Sequence, residues 1–193
     1  MDKREFVCSL IDAFPAFSPL SAESRLFVIA QAALESGWGN TPQSAVHNVL
    51  NVTAGSQEHG RAHSWPEPRP VLIGADTEPD GHGGWVTIHQ YWRAYDSIES
   101  AIADYMRLLE WPRYQPARDA LLAGRGEAFI DYLGPDRLHL DPPIGGYFTM
   151  PSRAYLNGWT DAKGRRHEGW RTHLAEVTAI VNADESREAK RFV

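Results

Sequence analysis

Cysteine is almost missing from this chain of 193 residues, and so is any surplus of positive charge. Cys8, alone, excludes an intrachain disulfide framework and argues against a thiolate metal site; packed beside a helix face, it reads as a small buried apolar group. Lys and Arg total 19 against 25 Asp and Glu, a formal charge of -6, which argues against nucleic acid or any partner held mainly through phosphates. No uninterrupted apolar run approaches the length of a membrane span. The opening stretch, MDKREFVCSLIDAF, sets acids on both sides of a basic pair and has no long apolar core, unlike a secretory leader. Internal repeats and low-complexity segments are lacking too. The length suits a single domain over 1–193. The acid surplus sits in the first half: residues 1–100 carry 6 basic and 12 acidic side chains, and the remainder carries 13 of each.

What is present is mostly helical periodicity. Phe6, Leu10, Ile11 and Phe14 fall at helical spacing over 2–14, and Pro15 stops that element. Ser21 reads as the N-cap of a second helix, with Glu23 in its first turn. Leu26, Ile29, Ala30, Ala33 and Leu34 line one side of it, while Val28 and Ala32 make the other side apolar as well. A helix apolar nearly all round is one surrounded by protein. Residues 40–69 read as loop. Pro70 to Thr77 and Trp85 to Trp92 read as the strands of a β-hairpin closed by the turn-forming stretch from Glu78 to Gly84. Asp96 and Glu99 are spaced as a capping box for a helix lined by Ile98, Ile102, Tyr105, Met106 and Leu109. Two shorter helices fit 114–123 and 126–133, residues 134–169 read as an irregular insertion, a last helix starts near Trp170, and 184–193 is a charged tail. The fold class is mainly α, with a small β-lobe over about 52–93.

Glu35 breaks the pattern. It falls in the last turn of the helix that asks to be buried, among Gln31, Ala32 and Val28, just before Gly37 and Trp38. Burial disfavours an ionised carboxylate, and the negative end of the helix dipole adds to this, so both raise its pKa. A carboxyl still protonated near neutral pH is what general acid catalysis uses. The same spacing also suits a glutamate met by basic side chains or by water at a helix end.

The segment Ala30 to Gly39 (AQAALESGWG) closely resembles the signature of flagellar-muramidase-type peptidoglycan hydrolases, the glucosaminidases of glycoside hydrolase family 73. The resemblance continues in order through Asn48 to Ala54 (NVLNVTA), Gln90 to Ser100 (QYWRAYDSIES) and Tyr114 to Ala117 (YQPA). It implies a lysozyme-like helical fold with a β-lobe, with Glu35 as the catalytic acid and Asn48 among the substrate-facing residues. It also implies that Glu78, which follows Thr77 and leads into Pro79 to Gly81, is the β-lobe glutamate acting as base or charge stabiliser. Asp76 and Asp80 are close enough to compete for that role. Gly146 to Pro151 (GYFTMP) resembles a block whose tyrosine lines the cleft, which implies Tyr147. Met150 stands where the family has Asp, and Asn51 where it has Gly; a turn at positive φ accommodates Asn.

Aromatic faces stack on sugar rings, which makes Trp38, Trp65 and Trp159 candidates for lining a glycan cleft. Trp85, Trp92, Trp111 and Trp170 read as packing residues. The histidines show no zinc spacing. His59 and His63 lie four apart in a Gly-Arg loop with no helix to orient them, and neither a metal nor a cofactor is expected.

The resemblance therefore implies hydrolysis of the β-1,4 bond after N-acetylglucosamine in peptidoglycan strands, in the periplasm or cell wall. Without a visible leader, a dedicated export machine or lysis would deliver the protein there. A lytic transglycosylase or muramidase, acting on the other glycosidic bond with a similar single Glu, is an open alternative. Another is a wall-binding or assembly component that kept the scaffold and lost catalysis. Lys163, Arg165 and Arg166 are the basic run expected to approach an acidic strand.

Overall fold

The computed structural model describes residues 1–15, 18–79, 85–135, 147, 148, 150–161 and 163–183, with 77–79 and 85 described by their backbone. Helix α1 (Lys3–Ala13) begins at a capping box in which Asp2 and Glu5 each accept the other's backbone N–H. It buries Phe6, Val7, Leu10 and Ala13. Helix α2 (Ala22–Ser36) is capped by Ser21, whose hydroxyl accepts from Ser24 N at 3.1 Å. Its apolar residues are buried on all sides, as that composition requires. Gly37 ends it at φ 54, a left-handed C-cap where any side chain would be strained.

Helix α3 (Ile98–Leu108) starts one residue later than the capping-box reading suggests. Ser97 is the N-cap, accepting from Ser100 N, and Asp96 stands too early to reach the free N–H groups. Helices α4 (Gln115–Leu122) and α5 (Gly126–Leu133) follow the expected spans. The segment expected to be irregular instead contains helix α6 (Ser152–Asn157). Helix α7 (Trp170–Ala183) packs along α2, with Trp170 Nε1 donating to Phe27 O at 3.2 Å. The helical core runs through Phe6, Leu10, Ile29, Leu50, Tyr105 and Phe129.

The β-lobe is larger than a hairpin. Strands β1 (Thr53–Ser56), β2 (Gly60–Arg61), β3 (Val71–Pro79) and β4 (Trp85–Arg93) form an antiparallel sheet in the order β2-β1-β4-β3. The β3–β4 pair runs in unbroken register from Val71 opposite Arg93 to Pro79 opposite Trp85. Two of the four strands come from the span read as loop. They are short, and Gly55 (φ 96) lies so close to Gly60 O that a Cβ there would meet it at 2.0 Å. A second pair, β5 (Trp159–Thr160) and β6 (Arg166–His167), is turned by Asp161, whose carboxylate accepts the backbone N–H groups of Lys163 and Arg165.

Buried polar groups tie the sheet to the helices. Arg93, 4% exposed, donates to Asp104 Oδ2 of α3 at 2.6 Å, to Ser64 Oγ at 2.7 Å and to Thr53 O at 3.1 Å. Tyr95 OH donates to the same Asp104 oxygen at 2.8 Å. Asn48, also buried, donates to Val52 O and Arg93 O and accepts from Val52 N, all within 2.9 Å. Asn48→Ala removes three buried hydrogen bonds to the backbone of Val52 and Arg93, so the unfolding free energy in urea should fall by about 2–4 kcal/mol. An unchanged denaturation midpoint would show that this junction is not what holds the lobe.

Candidate active site

The burial of α2 carries Glu35 inward on its last turn. The residue is half-buried, and Tyr155 of α6 donates its hydroxyl to Glu35 Oε1 at 2.6 Å. Asn51 hydrogen-bonds the same carboxyl. Burial pushes the Glu35 pKa up from 4.5 to about 7, and the hydrogen bonds from Tyr155 and Asn51 oppose it. The result is a carboxyl that holds its proton near neutral pH and has two donors ready for the charge it acquires on giving the proton up.

Asn51 adopts φ 57, the left-handed conformation expected where the resembling family places Gly. Its Oδ1 is buried and has no hydrogen-bond partner among the described residues. One turn before Glu35, Gln31 Oε1 accepts from Tyr105 OH at 2.6 Å. Tyr105 meets Tyr147 edge to face, with ring centroids 5.5 Å apart, and Tyr147 OH donates to Leu50 O. Burial and the nearby Glu35 charge hold the phenols of Tyr105, Tyr147 and Tyr155 well above their usual range, so all three remain donors.

Of the residues singled out in the sequence, Glu35 and Tyr147 therefore come together. Glu78 is the penultimate residue of β3, opposite Val86 near the end of the hairpin, and its side chain lies outside the described residues. Asp80 is outside them altogether. The other candidates are spent on packing. Trp38, 8% exposed, stacks on His173 of α7 with centroids 5.4 Å apart and meets Phe6 of α1 edge-on, so its indole packs into the helical core. Trp65 is 6% exposed, edge-on to Tyr95, with Arg69 and Arg93 against its ring and Nε1 donating to Pro70 O; it is the core of the β-lobe, with no face left for a sugar. Asn48 uses its amide on the backbone bonds described above. Trp159 is half-buried and stacked on His167 at 4.7 Å, which covers one of its faces.

Tyr155, which donates to Glu35, is a residue of the candidate site that the sequence reading missed. It lies in the span read as irregular, on a helix of six residues with no side-chain cap. The available signal was Pro151 at the cap position followed by Ser152 to Leu156, a single helical turn with Tyr155 on its inner side. Among the described residues, no group of three or more His, Cys, Asp or Glu is placed to hold a metal ion.

A mainly helical body whose buried helix presents a proton-holding carboxyl, beside a β-lobe and a wall of tyrosines, is the construction of a lysozyme-like glycosidase. The glucosaminidase family model, described as mannosyl-glycoprotein endo-beta-N-acetylglucosaminidase, matches residues 22–141, and the chain belongs to this family of glycoside hydrolases. It is 27% identical over 157 residues to the peptidoglycan hydrolase FlgJ of Pseudomonas aeruginosa, covering 78% of this chain and 34% of that protein. With the FlgJ of Salmonella typhimurium it shares 28% identity over 139 residues, covering 69% and 41% respectively. The chain thus spans well under half the length of these curated relatives. Among solved structures, a peptidoglycan hydrolase mutant from Sphingomonas sp. A1 superposes with a TM-score of 0.52 at 27% identity, covering 93% of this chain and 96% of that one. The catalytic domain of the autolysin Auto from Listeria monocytogenes shares the fold, with a TM-score of 0.52 at 16% identity over 98% and 85% of the two chains.

The raised pKa has a stability consequence with a definite sign. In the unfolded chain Glu35 ionises near 4.5, and in the folded protein near 7. Its contribution to stability is therefore fully present below pH 4.5 and is lost as pH rises through about 7. Glu35→Gln removes that loss. Relative to the parent, the variant should gain about 2–3 kcal/mol between pH 4 and pH 8, read by urea denaturation at both values. A constant difference across that range would mean that the carboxyl is not desolvated.

Proposed function

We propose that the chain hydrolyses the β-1,4 bond following N-acetylglucosamine in peptidoglycan, with Glu35 as the general acid. The observation that carries this reading is the carboxyl itself, buried so that its pKa rises to about 7 and hydrogen-bonded by Tyr155 and Asn51. The family's endo-beta-N-acetylglucosaminidase description supports the bond, and the hydrolases that the chain resembles support the polymer. Peptidoglycan places the site of action outside the cytoplasm, in the periplasm or cell wall. No helix among the described residues is long and apolar enough to cross a membrane.

In the first step Glu35 protonates the departing glycosidic oxygen, and the hydrogen bonds from Tyr155 and Asn51 stabilise the carboxylate left behind. A retaining nucleophile would sit about 5–5.5 Å from the acid, and an inverting base about 6.5–9.5 Å away. Among the described residues, the side chains acting on Glu35 are the uncharged Tyr155 and Asn51. Glu78, at the end of the hairpin, is the candidate for activating a water across the cleft. The substrate's acetamido group is the alternative nucleophile, with Tyr147 orienting it.

Digests of purified peptidoglycan analysed by mass spectrometry should show fragments with reducing-end N-acetylglucosamine. Reducing or anhydro N-acetylmuramic acid would transfer the enzyme to the muramidase or transglycosylase class, and intact glycan would make it a binding component. Glu35→Gln should lower fragment release by about 10²–10⁴-fold while leaving the circular dichroism spectrum unchanged. Full release by that variant would sink the assignment.

Tyr155→Phe removes a donor that favours the ionised carboxyl, so the Glu35 pKa should rise further. The alkaline limb of the kcat profile, where the acid loses its proton, should then move to higher pH as kcat falls. A limb that stays in place or moves down would dissociate Tyr155 from the acid.

A further inference from the structure

Beyond Asn51 the site opens into a concavity of about 280 Å³ between the β-lobe and the 3-10 turn Pro112–Tyr114 that precedes α4. Its lining includes Asn51, Arg93, Trp111, Arg113, Tyr114 and Tyr147. Two of these are arginines, and no Asp or Glu is among the described residues lining it. Arg93 is already committed to Asp104. Arg113 has no carboxylate partner among the described residues: its guanidinium lies against the rings of Tyr114, at 4.6 Å, and Trp111, at 5.4 Å, and it hydrogen-bonds Tyr114. Its Nε is buried and has no hydrogen-bond partner among the described residues. Trp111, 38% exposed, provides an apolar shelf at the rim. At the inner end Asn51 contributes the unpartnered Oδ1, an acceptor, while its amide reaches Glu35.

A half-buried guanidinium whose Nε–H has no partner among the described residues, flanked by aromatic faces, matches a planar carboxylate. The aromatic shelf matches the apolar face of a pyranose, and the buried acceptor matches an acetamido N–H or a sugar hydroxyl. We propose that this concavity is an anionic glycan subsite, in which Arg113 receives a carboxylate carried by the saccharide next to the bond that Glu35 protonates. The inference rests on the peptidoglycan reading. In that polymer the carboxylate comes from the lactyl ether of a stripped muramyl residue or from the stem peptide attached to it. Arg113 is then a specificity residue: it selects acidic strands over neutral polymers of the same backbone.

The test is binding, read by isothermal titration on the Glu35→Gln background so that no strand is cut. Three soluble preparations are compared: strands with their stem peptides, strands stripped to free lactyl carboxylates, and stripped strands with those carboxylates methyl-esterified. Adding Arg113→Gln should weaken binding to carboxylate-bearing strands about tenfold and weaken the esterified strands far less. Loss on the stripped strands assigns the lactyl carboxylate; loss confined to the peptide-bearing strands assigns a stem-peptide carboxylate. Arg113→Lys keeps the charge without the planar fork and should recover part of the affinity. It also serves as the readout if the Gln variant melts below the working temperature. An Arg113→Gln protein that binds both acidic preparations as the parent does overturns the subsite, and so does one that weakens all three alike. Cleavage position plays no part in this readout, so an unexpected fragment end would overturn the bond assignment and leave the subsite standing.

Discussion

A cleft needs two walls at a fixed separation, and here one buried guanidinium holds them. Arg93 ends β4, the strand that pairs with both β1 and β3, and it reaches across to Asp104 on α3. Its other nitrogens bond Ser64 and Thr53, and its backbone carbonyl receives the Asn48 amide. Such a pair adds little net stability, because both charges lose their water, but breaking it would leave one of them buried alone. That penalty pins the sheet to the helical body in one arrangement. Asn51 and Val52, which join the two parts, are positioned by the same set of bonds, and Asn51 is one of the two side chains on the acid.

The chemistry of Glu35 follows from a balance and not from burial alone. Complete desolvation without donors would leave a carboxyl that could not release its proton; full solvation would leave one already ionised at neutral pH. Tyr155 and Asn51 set the intermediate state, and both come from backbone that the helical core does not specify. Asn51 sits at positive φ in the link to the lobe, and Tyr155 on a single helical turn stacked under Phe148, with ring centroids 3.9 Å apart. The acid is thus fixed by a long helix, and its pKa is tuned by two short, irregular segments.

That division explains what could be read from the sequence. Long periodic elements were legible: α2 with its Ser21 cap and Gly37 stop, the β3–β4 hairpin, α4 and α5 all stand where their patterns put them. Elements of two to six residues were not, because β1, β2, α6 and the β5–β6 pair are too short for a period to register and are held by tertiary contacts. A glutamate on a helix apolar nearly all round stands out, but its spacing equally suits a helix end, and it was the resemblance over Ala30 to Gly39 that singled out Glu35. The tryptophans misled for a different reason. An indole satisfies a sugar cleft and a protein core equally well, and only the contacts of Trp38 and Trp65 with His173, Phe6, Tyr95 and the arginines separate the two uses.

Charge poses the remaining physical problem for the proposed function, since a chain of formal charge -6 would have to approach a polymer that is itself acidic. The basic run at Lys163, Arg165 and Arg166 is compensated only in part. Arg165 pairs with Asp161 at 2.7 Å and His167 lies 3.2 Å from the same carboxylate, which leaves Lys163 and Arg166 exposed. The concavity beside Glu35 is organised differently: Arg93 is paired with Asp104, and Arg113 has no carboxylate partner among the described residues. At physiological ionic strength, fields from exposed charges fade within about 8 Å, so the overall surplus matters less to a bound strand than the few groups that touch it. A single uncompensated guanidinium in an acidic protein would therefore be enough to orient an acidic ligand beside the carboxyl whose pKa is raised.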